Sequence, residues 1–201
     1  RQKYGVFATA LSNDEKHIEI ETPLAIYSFN SIGGYIEQVT LKEYTSYAPE
    51  TEDRQLVKFF KDGSNAINFE LPEGISTYNT KDLPFAVNSN FQTNLEAGDA
   101  TTITFSVKGD NGETIEQTYL LNGDNYYIDY QVNIKGFSSL PNTISALWNS
   151  DFNSQEKGLD NERKYAAIYW RDKEESETDD IGENVISDSE IKTMLSSYGI
   201  N

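Results

Sequence analysis

The chain has no cysteine, one histidine, and half as many cationic as anionic side chains, 16 Lys and Arg against 33 Asp and Glu in 201 residues. Without cysteine there can be no disulfide, no thiol nucleophile and no zinc–thiolate site, and the compartment stays open because a domain of this size folds without bridges. A single histidine, His17, rules out a histidine metal cluster and any dyad built from two histidines. The net charge of −17, with a pI near 4.3, repels phosphate backbones and anionic headgroups, which argues against nucleic-acid binding and docking on acidic lipid. No apolar run reaches the length of a transmembrane helix, and no signal peptide is present.

What the chain does have is alternation. Ile103, Phe105 and Val107 alternate with Thr102, Thr104, Ser106 and Lys108. Gly109-Asp110-Asn111-Gly112 then supplies a turn, and Ile115, Tyr119 and Leu121 resume the pattern. A second break, Asn122-Gly123-Asp124-Asn125, leads into Tyr126, Ile128, Tyr130, Val132 and Ile134. A period of two puts the apolar set on one pleat face and the polar set on the other, so Thr101 to Lys135 reads as an antiparallel meander and fixes an all-β class. The turns carry Gly, Asn and Asp, which tolerate the positive φ of tight hairpins. Aromatics at 12%, chiefly 13 Tyr and 10 Phe, are enough for a packed core.

Upstream, His17 to Glu21 is a short strand. Leu24 to Phe29 is apolar on both faces, and Gly33-Gly34 turns it back into a strand through Tyr35, Val39 and Leu41. Thr45 to Leu56 is a polar connection. Ile67, Phe69 and Leu71 mark a strand before Pro72, and Ser76 to Asn94 is irregular, held by Pro84, Phe85, Val87 and Phe91. Ile144 to Trp148 and Tyr165 to Trp170 are further strands, and no boundary in the sequence divides the chain in two. At the C-terminus, Ser187 and Glu190 fit a capping box. Ile191, Met194, Leu195 and Tyr198 follow at the spacing of one helical face, a stripe that can pack on the sheets or meet a partner.

Candidate chemistry is thin. His17, in a strand beside Lys16 and Glu19, reads as a surface residue rather than a base. Gly33-Gly34 lacks the strand–loop–helix setting of a phosphate cradle and reads as a hairpin turn. The acidic run Asp172 to Asp180 lacks the ligand spacing of a calcium loop. Carboxylates are abundant, but hydrolysis by a pair needs a separation that spacing does not reveal. Trp148 and Trp170 can line a sugar cleft, although tryptophans on such strands usually belong to the core. No catalytic, cofactor-binding or metal-ligating residue is assigned, and no cofactor is expected.

Three blocks carry a family resemblance. The first is Ile18-Glu19-Ile20-Glu21-Thr22-Pro23-Leu24-Ala25-Ile26-Tyr27-Ser28-Phe29, continuing through Ser31-Ile32-Gly33-Gly34-Tyr35-Ile36 to Val39-Thr40-Leu41-Lys42-Glu43-Tyr44. The second is Ile115-Glu116-Gln117-Thr118-Tyr119 followed by Tyr126-Tyr127-Ile128-Asp129-Tyr130, and the third runs from Gln155-Glu156-Lys157-Gly158 to Tyr169. In this order they resemble the large periplasmic domain of YidC-type membrane-protein insertases, in its Bacteroidetes-like version, from about His17 to Trp170.

The resemblance implies an antiparallel β-supersandwich, galactose-mutarotase-like, to which the capping box and stripe after Ser187 add a short C-terminal helix. It implies a non-catalytic periplasmic domain of a bacterial inner-membrane protein. Its partners would be accessory subunits of the Sec translocon and nascent membrane proteins, none of them mapped to residues. Residues 1–15 would be a polar leader after a removed transmembrane segment, with an apolar patch from Val6 to Leu11. Residues 16–201 would be the β-sandwich domain, incomplete at its C-terminal end because the family's further strands do not follow. The competing reading is a carbohydrate-binding or mutarotase-like sugar-processing sandwich. Mutarotation needs a general base and a general acid, which that family supplies with a Glu and histidines, and one histidine leaves the set short.

Overall fold

The computed structural model describes residues 4–48, 52–73, 76–141, 143–158, 160, 162, 164, 167–171 and 179–182. The strands are β1 (His17–Glu21), β2 (Ala25–Asn30), β3 (Tyr35–Thr45), β4 (Leu56–Lys58), β5 (Ala66–Glu73), β6 (Ser76–Asn79), β7 (Ala86–Val87), β8 (Ala100–Lys108), β9 (Thr114–Asn122), β10 (Ile128–Lys135), β11 (Ser145–Asn149), β12 (Ala167–Trp170) and β13 (Asp179–Gly182). All pairings between them are antiparallel, in sheets of order β1-β2-β3-β4, β10-β9-β8-β7, β11-β5-β6 and β12-β13. The fold is an all-β sandwich.

Two compact units divide the chain. The larger takes Arg1–Thr45 and Leu56–Asn153, and the smaller takes Ser46–Gln55 and Ser154–Asn201. In the larger unit the two four-stranded sheets pack face to face. Phe29 of β2 lies 5.7 Å from Phe105 of β8 and 5.2 Å from Tyr119 of β9, ring centre to ring centre. All three are buried, as are Ile103, Val107, Ile115 and Leu121, the residues that the meander's alternation turns inward. Burying one such side chain stabilises the fold by about 2–3 kcal/mol. Gly5–Ser12, inside the segment read as a polar leader, forms a 3-10 helix that puts Phe7 and Ala10 into this core.

Other elements depart from the pattern. β5 runs through Pro72 rather than stopping before it, with Pro72 opposite Thr77 of β6. Proline is tolerated there because β11 pairs only with Ala66 to Glu70, so that end of β5 has one neighbour and needs no ladder donor on its free side. Between Ser28 and Phe29 the register with β3 shifts: Ser28 faces Gln38 and Phe29 faces Ile36, leaving Glu37 as an extra residue. Such a bulge re-aims a side chain. In the smaller unit, β12 pairs with β13, and Tyr47 N–H donates to the Gln155 carbonyl at 2.7 Å. The helix read over Ser187 to Tyr198 lies outside the described residues.

Candidate functional site

The bulge decides what the outer face of the first sheet displays. Across β1, β2 and β3, Glu19, Ser28 and Gln38 stand in register, and the extra residue Glu37 joins them. With His17, Lys58, Asp62 and Gly63 they line an open groove of about 510 Å³. His17 sits between two carboxylates, its Nδ1 2.9 Å from Glu37 and its Nε2 3.5 Å from Glu15. Ser28 Oγ donates to Glu19 at 3.4 Å. Gln38 turns to the neighbouring segment, donating to the Phe60 carbonyl at 2.6 Å and accepting from Phe60 N–H at 3.0 Å. The His17 side chain is 59% exposed, so it is the surface residue expected from the sequence, hydrogen-bonded to Glu37 in a groove open to water. An acid–base pair that works by exclusion of water needs a drier place.

A second polar constellation is internal. Gly33 and Gly34 form the β2–β3 turn with φ of 84° and 64°, the hairpin conformation expected of them. Their carbonyls are held from the opposite sheet. Gln117 donates to Gly33 at 2.7 Å and Tyr119 to Gly34 at 2.9 Å, while Tyr130 donates to Gln117 at 2.6 Å. The Tyr119 and Tyr130 rings stack at 4.6 Å. Burial raises both phenol pKa values, since the phenolate would lose its water, and Tyr130 beside Tyr119 adds to the rise at Tyr119. Gln117 is fully buried in a position the alternation assigns to the apolar face. No local signal marks it, because the carbonyl it donates to lies 84 residues away.

Aromatic side chains are also displayed. Trp148 is 54% exposed, which corrects the reading of it as core. β11 lies at the end of its sheet, and among the described residues it has a neighbouring strand on one side only. Trp148 Nε1 donates to Asn65 Oδ1 at 2.7 Å, and the buried Asn65 donates in turn to the Ile36 carbonyl. Phe152 is equally exposed, its ring 5.4 Å from that of Phe60. Tyr44, Tyr126 and Tyr127 are exposed too, and partial desolvation together with the Glu43 carboxylate raises the Tyr126 pKa.

In the smaller unit Glu162 accepts from Ser154 Oγ at 2.6 Å and Gln155 N–H at 2.8 Å, and these bonds lower its pKa. The side chain of Trp170 and most of the acidic run Asp172 to Asp180 lie outside the described residues. Among the described residues, no group of three or more His, Asp or Glu side chains is arranged to hold a metal ion.

Fold and surface together define an all-β sandwich with an open polar groove on one face. The chain belongs to the YidC periplasmic domain family, whose sequence model matches residues 17–194. It is similar to the membrane protein insertase YidC of Cytophaga hutchinsonii, 28% identical over 171 residues, which covers 84% of this chain and 25% of that protein. The corresponding insertase of Parabacteroides distasonis is 28% identical, covering 85% and 26%, and that of Chloroherpeton thalassium 27%, covering 84% and 29%. The chain thus spans about a quarter of the length of these relatives. No solved structure matches it. The family is non-enzymatic and makes this a periplasmic domain of an inner-membrane protein. Among the described residues no helix is long and apolar enough to cross a membrane.

Proposed function

We propose that residues 16–201 assist the insertion and folding of inner-membrane proteins as the non-catalytic periplasmic part of an insertase. The observation that carries this reading is the family match over residues 17–194, supported by insertase relatives aligned over more than four-fifths of the chain. Moving polar residues through hydrocarbon calls for a polar path inside the bilayer, which a β-sandwich displaying open faces in the periplasm does not offer. Such a sandwich contributes by holding a partner, nascent membrane proteins or accessory subunits of the Sec translocon, near the membrane part. Tethering raises effective concentration even when the contact is weak. Deleting the segment corresponding to Leu24–Trp170 from the full-length protein tests this. Insertion of a simple substrate is expected to persist, with reduced crosslinking to the Sec accessory subunits. Complete loss of insertion by a protein that still folds and reaches the membrane overturns the accessory role, and unchanged crosslinking overturns the Sec partner.

One observation favours a second reading, a carbohydrate-binding sandwich: the groove carries Glu19, Ser28 and Glu37, which can hydrogen-bond hydroxyl groups. Titration with aldoses, following the His17 ring by NMR, decides it, and an unmoved ring signal removes the sugar reading.

A further inference from the structure

Two asparagines precede glycine in this chain, Asn111 and Asn122, one at each end of β9. Asparagine is among the thermally labile residues. It is most labile before glycine, which has no Cβ to obstruct its own nitrogen when that nitrogen turns back on the asparagine side chain. The same dipeptide therefore meets two surroundings. Asn122 is closed to the reaction. It is the last residue of β9 and pairs with Ala100 of β8. Gly123 N–H donates to the Asp99 carbonyl at 2.9 Å, and Gly123 is buried so tightly that an added Cβ would run into the Glu96 carbonyl. Its nitrogen is engaged, and its peptide has no room to rotate.

Asn111 stands at the exposed tip of the β8–β9 turn, beyond the last ladder pair, Lys108 with Thr114. Gly112 N–H reaches the Gly109 carbonyl only at 3.4 Å, longer than an ordinary hydrogen bond. Gly112 is exposed too, and among the described residues no atom lies within 4 Å of where its Cβ would be. One restraint remains. The buried Glu113 carboxylate accepts from Asn111 N–H at 3.0 Å and from Asn111 Nδ2 at 3.2 Å, which holds the side-chain amide in one orientation.

We propose that Asn111 is a self-modification site, deamidated through attack by Gly112, with Glu113 as the brake. The Gly112 nitrogen gives its proton to water and bonds to Asn111 Cγ, while the side-chain nitrogen takes up a proton and leaves as ammonia. Water then opens the resulting succinimide ring at either carbonyl, leaving aspartate or isoaspartate. The new carboxylate cannot donate to Glu113 as the amide did, and like charges at that distance repel. Isoaspartate also lengthens the turn's backbone by one carbon. The same turn holds the N-terminal 3-10 helix: Asp110 N–H donates to the Val6 carbonyl at 2.8 Å, and Thr9 Oγ1 donates to Asp110 Oδ1 at 2.7 Å. Deamidation therefore loosens the hold on Gly5–Ser12, the segment that places Phe7 in the core.

The test incubates the 201-residue chain in mildly alkaline buffer, native and in concentrated urea, and follows both asparagines by peptide mass spectrometry. In urea the two should react at similar rates. In the native chain Asn111 is expected to react about tenfold faster than Asn122. Glu113→Gln should speed Asn111 further while Asn122 keeps its native rate. If that variant fails to fold, Asn122 accelerates with it, and the comparison of native chain with urea carries the test. Asn111→Asp, which installs the product, should speed hydrogen exchange at the Asp110 amide and lower the melting temperature. Equal native rates, Asn122 ahead of Asn111, or an intact Asn111 over the time in which both react in urea each overturn the site. An unchanged rate in a folded Glu113→Gln overturns the brake, and unchanged Asp110 exchange in Asn111→Asp overturns the link to the N-terminal helix.

Discussion

In β8 and β9 every second residue from Thr101 to Leu121 faces a packed interior, apart from the turn between them, whereas in the eleven residues of β3 only Val39 is buried. All three strands sit in four-stranded antiparallel sheets of the same unit. One sheet keeps its register and builds a continuous apolar wall. The other slips at Glu37, turns through two left-handed glycines and spends its outer face on a charged groove. Regularity makes the core, and local irregularity makes whatever the surface offers.

The sharpest way to break this comparison is to damage the wall. Phe105→Ala removes a ring packed against Phe29 and Tyr119 and should cost about 4 kcal/mol in urea unfolding. A loss near 1 kcal/mol would mean that the sheets do not share one core. Gly34→Ala probes the irregular sheet where it meets the wall. Its φ is +64°, and an added Cβ would lie 2.9 Å from Gln117 Nε2 and 3.0 Å from Phe105 Cβ, so a loss of about 3 kcal/mol is expected. Gly63→Ala is its control. It has a similar φ of +68° but open space around the new carbon, and should cost only about 1 kcal/mol. Equal losses at the two glycines would show that backbone conformation, not the fit between sheets, sets the cost.

Alkali sharpens the same contact. Tyr119 and Tyr130 have pKa values raised above the ordinary 10.0, so the folded chain keeps protons that the unfolded chain releases. Unfolding then gains as pH rises, so stability is level below pH 10 and falls beyond it. Melting temperatures measured upward from about pH 9 should show this, and Tyr130→Phe should flatten the slope. The smallest effect belongs to the groove. His17→Ala removes a solvent-exposed contact with Glu37 and should change stability by less than about 0.5 kcal/mol.

The same contrast explains what could be read from the sequence. The meander is legible because its burial period is two and its turns are rich in Gly, Asn and Asp. β1 is read with its observed bounds, and the Gly33-Gly34 turn with its φ. The bulge at Glu37 is not legible, since an extra residue in a strand of mixed polarity leaves no break in the pattern. Gln117 is hidden because the carbonyl that takes its amide protons lies in a distant turn, and the Tyr130 hydroxyl that meets its oxygen sits on the next strand. Trp148 misleads because an aromatic on a strand indicates a packed face only when another layer covers it. The pairing of Tyr47 with Gln155, which gathers Ser46–Gln55 into the smaller unit, depends on contacts about a hundred residues apart and has no local trace. The open groove lies between both kinds, since its residues are visible but their meeting depends on the bulge.

The carbonyls of Gly33 and Gly34 find their donors 84 and 85 residues further along the chain. A chain that leaves the ribosome and crosses a membrane from its N-terminus brings out the β2–β3 hairpin long before Gln117 and Tyr119. Its strands can zip through local contacts, but its turn carbonyls stay bonded to water until the meander arrives and displaces it. The hairpin therefore folds early and sets late, so slowing the delivery of residues 100–135 should prolong the time during which the Gly33 and Gly34 carbonyls stay hydrated.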